Sequence, residues 1–222
     1  MDRISTSLGE LAAQQPSATR VFMRHHLDFC CGGKRSLAEA CSRAGLDPAQ
    51  ILAELDLEAT REPVDAVERL GQSELANHIE AHYHQGLRRD LPLLIEGARK
   101  VERVHAGKPG VPAGLADVLT DLLAEMESHM AKEERILFPM IRRGARGEAV
   151  YMPVRMMERE HDSHGAELAR IRTLTGDLRI PDHACATWRA LYQGLETLEA
   201  DLMQHIHLEN NVLFARATQG AQ

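Results

Sequence analysis

Aromatic residues are scarce in this 222-residue chain, where phenylalanine, tryptophan and tyrosine together make up 4% of the sequence. Hydrophobic residues as a whole reach 44%, so a substantial core can form. Alanine, leucine, glutamate and arginine dominate, and this balance favours helices packed on helices over a β-sandwich. We therefore expect an all-α fold.

Long apolar runs and an excess of basic residues are also lacking. No stretch approaches the roughly 20 consecutive apolar residues that a membrane-spanning helix needs, so we expect no membrane partner. The first ten residues, M-D-R-I-S-T-S-L-G-E, lack the apolar centre of a secretory signal, which predicts a cytoplasmic protein. The formal net charge is -7 and there is no basic stripe, so nucleic acid is excluded as an expected partner.

Cysteine occurs only four times, at Cys30, Cys31, Cys41 and Cys185. These residues are too few and too scattered for a disulfide scaffold, which a reducing compartment would oppose in any case. Histidine, by contrast, occurs twelve times. The positions of the histidines are therefore the most informative feature of the sequence for function.

The chain divides into a short N-terminal part and a longer helical part. We predict a small helical domain over 1–58, a linker over 59–72 and a four-helix bundle over 73–222. In the small domain, Ser36 and Glu39 have the spacing of a capping box, which predicts a helix start. The short connections between the long helices make neighbours antiparallel, which predicts an up-down-up-down bundle. The four long helical segments are expected at about 73–106, 114–143, 150–175 and from a point after Pro181 to about 216.

Apolar residues repeat along each long helix at alternating steps of three and four, as expected for a face turned toward a core. Each face is apolar except at one level, where every helix carries histidine and two helices carry glutamate. The positions selected are His84, Leu87, Leu91, Leu94, Ala98 and Val101 on the first helix; Leu115, Leu119, Leu122, Met126, His129, Glu133, Ile136 and Met140 on the second; Val154, Met157, His161, His164, Leu168 and Ile171 on the third; and Trp188, Leu191, Leu195, Leu198, Leu202, His205, Glu209 and Val212 on the fourth.

Burying these polar side chains is costly unless something compensates for it. Glutamate is rarely fully buried unless it is paired or bound to a metal. The spacing His129-x-x-x-Glu133 places both groups on one helix face, one turn apart, and His205-x-x-x-Glu209 repeats it. Two metal ions would remove the cost, because neutral imidazole and carboxylate are their ligands. The pattern predicts a dinuclear site with two bridging carboxylates; hydrogen-bonded core histidines are the metal-free alternative.

The third helix offers two candidate ligands one turn apart. We prefer His161, because its depth along the helix matches that of His129 and Glu133, and we assign His164 to the surroundings of the site or to the surface. We also assign most of the remaining histidines to the surroundings of the site or to the surface: His25, His26, His78, His82, His183 and His207. Histidine and carboxylate without a nearby thiolate suit iron, manganese or zinc, and two bridging carboxylates in a bundle core favour iron.

Three stretches of the long helices resemble the hemerythrin-like domain: H-M-A-K-E-E-R-I-L-F-P-M-I, M-E-R-E-H-D and H-I-H-L-E-N-N-V-L-F. Together with D-F-C-C-G-G-K-R-S-L near the N-terminus, they make essentially the whole chain resemble the iron-sulfur cluster repair di-iron proteins, the repair-of-iron-centres family. The resemblance implies a non-haem di-iron protein of the stress response, which helps to restore iron-sulfur clusters damaged by nitric oxide or oxidants. Damaged iron-sulfur proteins would be its partners, and a homodimer is left open.

The resemblance also implies a ligand set for two iron ions, bridged by carboxylates and by an oxo or hydroxo group. Carried over onto this sequence, the ligands are His84, His129, Glu133, His161, His205 and Glu209, with the two glutamates bridging. Two positions depart from the expected pattern: Ala215 stands where proline is expected, and Phe29 stands where tyrosine is common. The pattern has fewer histidines than oxygen-carrying hemerythrins have, which argues against reversible O2 transport.

Three functions are open for such a site. The first is repair, by delivery of iron to damaged clusters or by reaction with NO. The second is a di-iron nitric oxide reductase that forms N2O. The third is a sensor in which binding of O2 or NO changes how the N-terminal domain docks.

The adjacent cysteines of D-F-C-C-G-G have two interpretations. Because consecutive side chains point apart, we do not expect Cys30 and Cys31 to chelate one metal, and Cys41 and Cys185 lack the spacing to complete a four-cysteine site. The first interpretation is a turn with two incidentally adjacent thiols. The second is an accessory thiol pair for electron supply, NO handling or iron transfer.

Overall fold

A computed structural model of the chain describes residues 3–60 and 67–219. Within these residues the regular secondary structure is helical, apart from an isolated antiparallel bridge between Ser7 and Ser36. The all-α fold class is thus confirmed. None of the described helices is long and apolar enough to cross a bilayer.

The chain forms two compact units, which we call the first and the second unit. The first unit contains the described residues up to Ile79, Met140–Val154 and the described residues from Met203 onward. The second unit contains Glu80–Pro139 and Arg155–Leu202. Each unit therefore combines segments that are distant in the sequence.

Four short helices lie in the N-terminal part of the first unit. They are α1 (Leu8–Gln14), α2 (Ala18–Arg24), α3 (Leu37–Ala44) and α4 (Pro48–Ala59). Ser36 and Glu39 form the predicted capping box at the start of α3, and Ser7 and Glu10 form a second one at the start of α1. Because Ser7 and Ser36 also pair in the isolated bridge, the two helix starts lie side by side.

The core of this N-terminal part is apolar and closely connected to the end of the chain. Phe22 and Phe29 are fully buried in it, with ring centroids 5.9 Å apart. Met203, which is partly buried, packs against the same core. The small core is thus extended by a residue from far along the chain, as expected when a short domain buries too little surface alone.

Four long helical segments make up most of the remaining chain, close to the bounds predicted. They comprise α5 (Gln72–Ile79) with α6 (Gln85–Val104), α7 (Leu115–Lys132) with α8 (Phe138–Arg142), the single helix α9 (Glu148–Thr175), and α10 (Ala186–His207) with α11 (Phe214–Thr218). A 3₁₀ turn, Val67–Arg69, precedes α5. In the second unit α6 and α7 pack against each other.

Three of these long segments contain a turn of π-helix. The turns are Glu80–His84 between α5 and α6, Glu133–Leu137 between α7 and α8, and Leu208–Leu213 between α10 and α11. The backbone N–H of Phe138 donates to Glu133 O, and that of Phe214 donates to Glu209 O, five residues back in each case. Single π turns inside α-helices are frequent at functional sites.

The π turn after α7 shifts the core face by one residue, so the predicted core face is wrong beyond Glu133. Ile136, which the apolar pattern predicts in the core, is 55% exposed, whereas Leu137 is buried. One turn later Ile141 is buried instead of Met140. A π turn accommodates one more residue than an α turn, and this accounts for the shift.

The domain boundaries at 58 and 72 stay a prediction. Helix α4 ends at Ala59 and α5 begins at Gln72, near both boundaries. Residues 61–66 of the predicted linker lie outside the described part of the chain.

Candidate metal centre

Glu133 is the central acidic group of the second unit. Its side chain is completely buried, and Nε2 of His84 and Nε2 of His129 both lie 3.4 Å from its Oε2. Neither carboxylate oxygen has a hydrogen-bond partner among the residues that the structure describes. A buried carboxylate without hydrogen bonds is strongly unfavourable unless a cation neutralises it. The surroundings of Glu133 therefore fit a metal ion.

His161 on α9 belongs to the same group of donors. The ligand atoms of His129, Glu133 and His161 lie within 4.8 Å of one another, and the Nε2 atoms of the two histidines are 3.1 Å apart. His164 is also buried, and its ring lies edge-on to that of His129 with the centroids 4.9 Å apart. The second unit thus brings together His84, His129, Glu133 and His161, with His164 packed beside them.

Two outer carboxylates determine which ring nitrogen of His84 and of His129 carries the proton. His84 Nδ1 lies 2.9 Å from Glu134 Oε1, and His129 Nδ1 lies 2.9 Å from Glu160 Oε2. Since an ionised carboxylate can only accept a hydrogen bond, Nδ1 must donate in both pairs, and Nε2 keeps its lone pair. Such carboxylate–histidine pairs are the usual support of metal ligands.

The two outer carboxylates are themselves held in the ionised form. The hydrogen bond from His129, supported by Lys132, lowers the pKa of Glu160 to about 2, although partial burial opposes this. Burial raises the pKa of Glu134, but hydrogen bonds from Arg88 and His84 lower it by more. The sequence pattern predicts neither residue. Glu134 directly follows the predicted ligand Glu133, and Glu160 directly precedes the predicted ligand His161.

His205 and Glu209 form a separate pair of donors in the first unit. His205 Nε2 lies 2.9 Å from Glu209 Oε1, and both side chains are buried. His205 is near the end of α10 and Glu209 is in the π turn that follows. The spacing of four residues places both groups on one helix face, as expected.

His207 occupies a buried site that the sequence did not reveal. It is fully buried, and this burial lowers its pKa to about 4, so the ring is neutral at pH 7. Asn211 Nδ2 donates to His207 Nδ1 at 3.0 Å and to the carbonyl oxygen of Phe29 at 3.2 Å. The ring of Phe29 packs edge-on against His207, with the centroids 5.5 Å apart. His207 is therefore not a surface residue, and it connects the last long helix to the N-terminal loop.

The thiols of Cys30 and Cys31 lie in that loop, and the expectation that their side chains point apart is wrong. The two Sγ atoms are 3.6 Å apart, and Asp28 Oδ1 lies 3.3 Å from Cys30 Sγ. The hydrogen bond to Cys31, followed by burial and the charge of Asp28, raises the pKa of the Cys30 thiol well above its ordinary value. Asn210 Nδ2 donates to the carbonyl oxygen of Cys30 at 3.4 Å, so the loop is attached to the last π turn.

A helical chain with buried histidines and glutamates arranged as metal ligands belongs to the class of helical metal-binding proteins. Two family models agree with this class and cover most of the chain. Residues 75–217 match the hemerythrin HHE cation binding domain, and residues 4–59 match a domain of unknown function, DUF542. The first match supports the predicted up-down-up-down four-helix bundle, which follows a small helical domain.

Named relatives extend the likeness to almost the full length. The iron-sulfur cluster repair protein YtfE of Dickeya chrysanthemi is 48% identical over 217 residues, which cover 96% of this chain and 97% of that protein. The protein of the same name from Citrobacter koseri is 48% identical over 214 residues, 96% of each chain. That of Yersinia pseudotuberculosis is 46% identical over 222 residues, 99% of this chain and all of that protein. The chain therefore belongs to the YtfE family of iron-sulfur cluster repair proteins, with a hemerythrin HHE domain.

Proposed function

We propose that the chain is a non-haem di-iron protein that repairs iron-sulfur clusters damaged by nitrosative or oxidative stress. The names of its relatives support the repair function, and the buried donors support iron as the metal. Damaged iron-sulfur proteins are the proposed partners. The proposed ligands are His84, His129, Glu133, His161, His205 and Glu209, with both glutamates bridging two ions.

The position of Glu133 carries this proposal. Its carboxylate faces His84 on one segment and His129 on another, at equal distances of 3.4 Å. One carboxylate between two sets of imidazoles is what a two-metal site requires of its bridging ligand. His205 and Glu209 repeat the same pair of residue types at the same spacing, which supports their assignment to the same centre.

The ligand count leaves room for chemistry. Four histidines and two bridging glutamates give each ion about four protein bonds, whereas octahedral iron has six positions. When bound, the oxo- or hydroxo-bridged iron pair supplies exchangeable positions for water, O2 or NO, and iron that a damaged cluster can accept. The chain contributes fixed tautomers through Glu134 and Glu160, and the ring of Phe138 stacks on His84, with the centroids 5.7 Å apart. That stacking holds the imidazole in place and keeps water from its face.

Cys30 and Cys31 are proposed as an accessory thiol pair. None of the four cysteines, all of which lie within the described residues, is part of a disulfide, and we propose the cytoplasm as the location, because thiols stay reduced there. NO and O2 are the proposed small ligands, and a homodimer is the oligomeric state to be tested by light scattering.

A direct repair assay tests the proposal. Purified iron-loaded protein is incubated with a ferredoxin whose cluster has been damaged by NO, and the return of cluster absorbance is followed. We expect repair by the wild type and by Glu125→Gln, an exposed change on α7, and none by Glu133→Gln. Mössbauer spectra of the same samples should show two coupled irons.

Two results would contradict repair at a di-iron site. The first is zinc as the only metal found, together with failure to reconstitute iron. The second is rapid conversion of NO to N2O by the reduced protein without any recovery of the cluster, which would identify the nitric oxide reductase instead.

A further inference from the structure

The loop between α2 and α3 contains metal-ligand atoms of a different kind from the histidines and glutamates. Asp28, Cys30 and Cys31 each offer one donor atom, and the three atoms lie within 4.8 Å of one another. Cys30 is buried, whereas Asp28 and Cys31 are half-buried, so the group is partly accessible to solvent. Two sulfurs and one carboxylate oxygen are a ligand set for thiophilic cations.

The distances within this group match a tetrahedral ion. With metal–sulfur bonds of about 2.3 Å, a tetrahedral ion holds two thiolates roughly 3.8 Å apart. The Sγ atoms of Cys30 and Cys31 are 3.6 Å apart without any ion present. A carboxylate oxygen and a thiolate on such an ion are roughly 3.5 Å apart, and Asp28 Oδ1 lies 3.3 Å from Cys30 Sγ. A disulfide, by contrast, would require a sulfur separation of about 2.05 Å.

The backbone of the loop is fixed in the shape that gives these distances. Cys31 N donates to Asp28 Oδ1 at 3.0 Å, so the carboxylate closes the turn on itself. Asn210 holds the carbonyl of Cys30 from the last π turn. Because the donors are already in position, little conformational entropy is lost when an ion binds.

The surroundings also suit the charge of such a site. A Cβ atom at Gly32 would lie 2.7 Å from both Asp28 Oδ2 and Arg35 Nη1, so the absence of a side chain there leaves room for both groups. Two thiolates, one carboxylate and a divalent cation together carry one negative charge. The nearby guanidinium of Arg35 offsets that charge.

We propose that Asp28, Cys30 and Cys31 bind one thiophilic divalent cation of the class of Fe2+ and Zn2+, with an open fourth position. On binding, both thiols release their protons to solvent and both thiolate sulfurs bond to the ion. The site is separate from the histidine–glutamate centre in ligand type and does not depend on the function proposed above. It gives the adjacent cysteines a role that a simple turn would not have.

Cadmium is a suitable probe, because Cd2+ bound to thiolate gives an ultraviolet charge-transfer band that histidine and carboxylate ligands do not produce. The full-length iron-loaded protein is titrated with CdCl2 and the difference spectrum is recorded. We expect saturation at one ion per chain with the intensity of two thiolates. Competition by Zn2+ and by Fe2+ under anaerobic conditions then separates the two candidate cations.

Substitutions of single residues test whether the cadmium–thiolate band arises from this loop. Cys30→Ser or Cys31→Ser should at least halve the band and the double variant should abolish it, whereas Cys185→Ser, at an exposed thiol, should retain it. Asp28→Asn should weaken the cadmium affinity on the order of ten-fold or more, and Asp121→Asn, an exposed change on α7, should not. A full band in the double variant, or a band lost with Cys185, would overturn the proposal. Because Cys31 is half-buried, its variant tests the site even where Cys30→Ser impairs folding.

Discussion

The properties of each candidate ligand depend on what its second polar atom contacts. His84 and His129 each give their Nδ1 proton to a carboxylate, Glu134 and Glu160 respectively. Those contacts fix the ring orientation and raise the basicity of the nitrogen that faces Glu133. The effect of the outer carboxylates can therefore be measured separately from that of the ligands.

We predict that Glu160→Gln weakens iron binding while the helices stay intact. Glutamine keeps the size and an oxygen acceptor but loses the charge, so the affinity should fall by roughly 10- to 100-fold. Competition with a chelator of known affinity measures this, and circular dichroism checks the fold. Glu158→Gln on the same helix, which removes an ion pair with Arg155, is the matched control. Equal affinities of wild type and Glu160→Gln would contradict the prediction.

Among the elements, the π turns are the features that the sequence did not predict. The apolar pattern located the four long helices, and α7 begins at Leu115, next to the expected start. It missed the extra residue because Ile136 and Leu137 are both apolar, so an α and a π spacing fit the sequence equally well. In the structure, the π spacing is shown by the burial of Leu137, the exposure of Ile136 and the hydrogen bond from Phe138 N–H to Glu133 O.

We predict that deletion of Ile136 leaves a folded bundle with poor iron binding. The deletion converts the π turn into an α turn, so Leu137 and Ile141 keep their place in the core, while the backbone around Glu133 changes. Thermal unfolding and iron content measure the two effects. Deletion of Asp121 in the middle of α7 is the control, since it should rotate the rest of that helix by about 100° and unfold the protein. Unaltered iron content after deletion of Ile136 would show that the turn is not needed for binding.

The two glycines of the C-C-G-G loop should respond differently to substitution. A Cβ atom at Gly33 would lie 2.4 Å from the carbonyl oxygen of Phe29, which is part of the backbone and cannot swing away. A Cβ atom at Gly32 would lie 2.7 Å from the side-chain ends of Asp28 and Arg35, which can move away. We predict that Gly33→Ala lowers the free energy of unfolding by about 1–3 kcal/mol and that Gly32→Ala lowers it less. Urea titrations compare the two, and a larger loss for Gly32→Ala would contradict this reading of the loop.

For the whole molecule, composition predicted the all-α class, and periodicity selected the residues proposed as ligands. It could not predict Glu134, Glu160 or His207, because their contacts depend on how helices pack and not on spacing along one helix. Asn211 illustrates the limit, since it binds the carbonyl of Phe29 across 182 positions of sequence. No local pattern in either stretch carries that information.

We predict that removal of iron destabilises the wild type, and that in the iron-free state the variant Glu133→Gln is more stable than the wild type. Chelation should lower the thermal midpoint of the wild type, because the free energy of metal binding adds to that of folding. In the iron-free state Glu133→Gln should be the more stable protein, by roughly 1–3 kcal/mol, since it lacks a buried carboxylate without hydrogen bonds. Thermal unfolding with and without chelator tests both parts. A wild-type midpoint that is unchanged by chelation, or a less stable iron-free variant, would contradict the prediction.

The first unit combines segments that are far apart in the sequence, and this affects how it forms on the ribosome. Phe29 emerges early, whereas Asn211, which holds its carbonyl, is 182 residues later. At a synthesis rate of roughly 5–20 residues per second, the delay is on the order of 10 to 40 seconds. During that interval the loop lacks its hydrogen bonds from Asn210 and Asn211, so Cys30 and Cys31 are less firmly held than in the complete first unit.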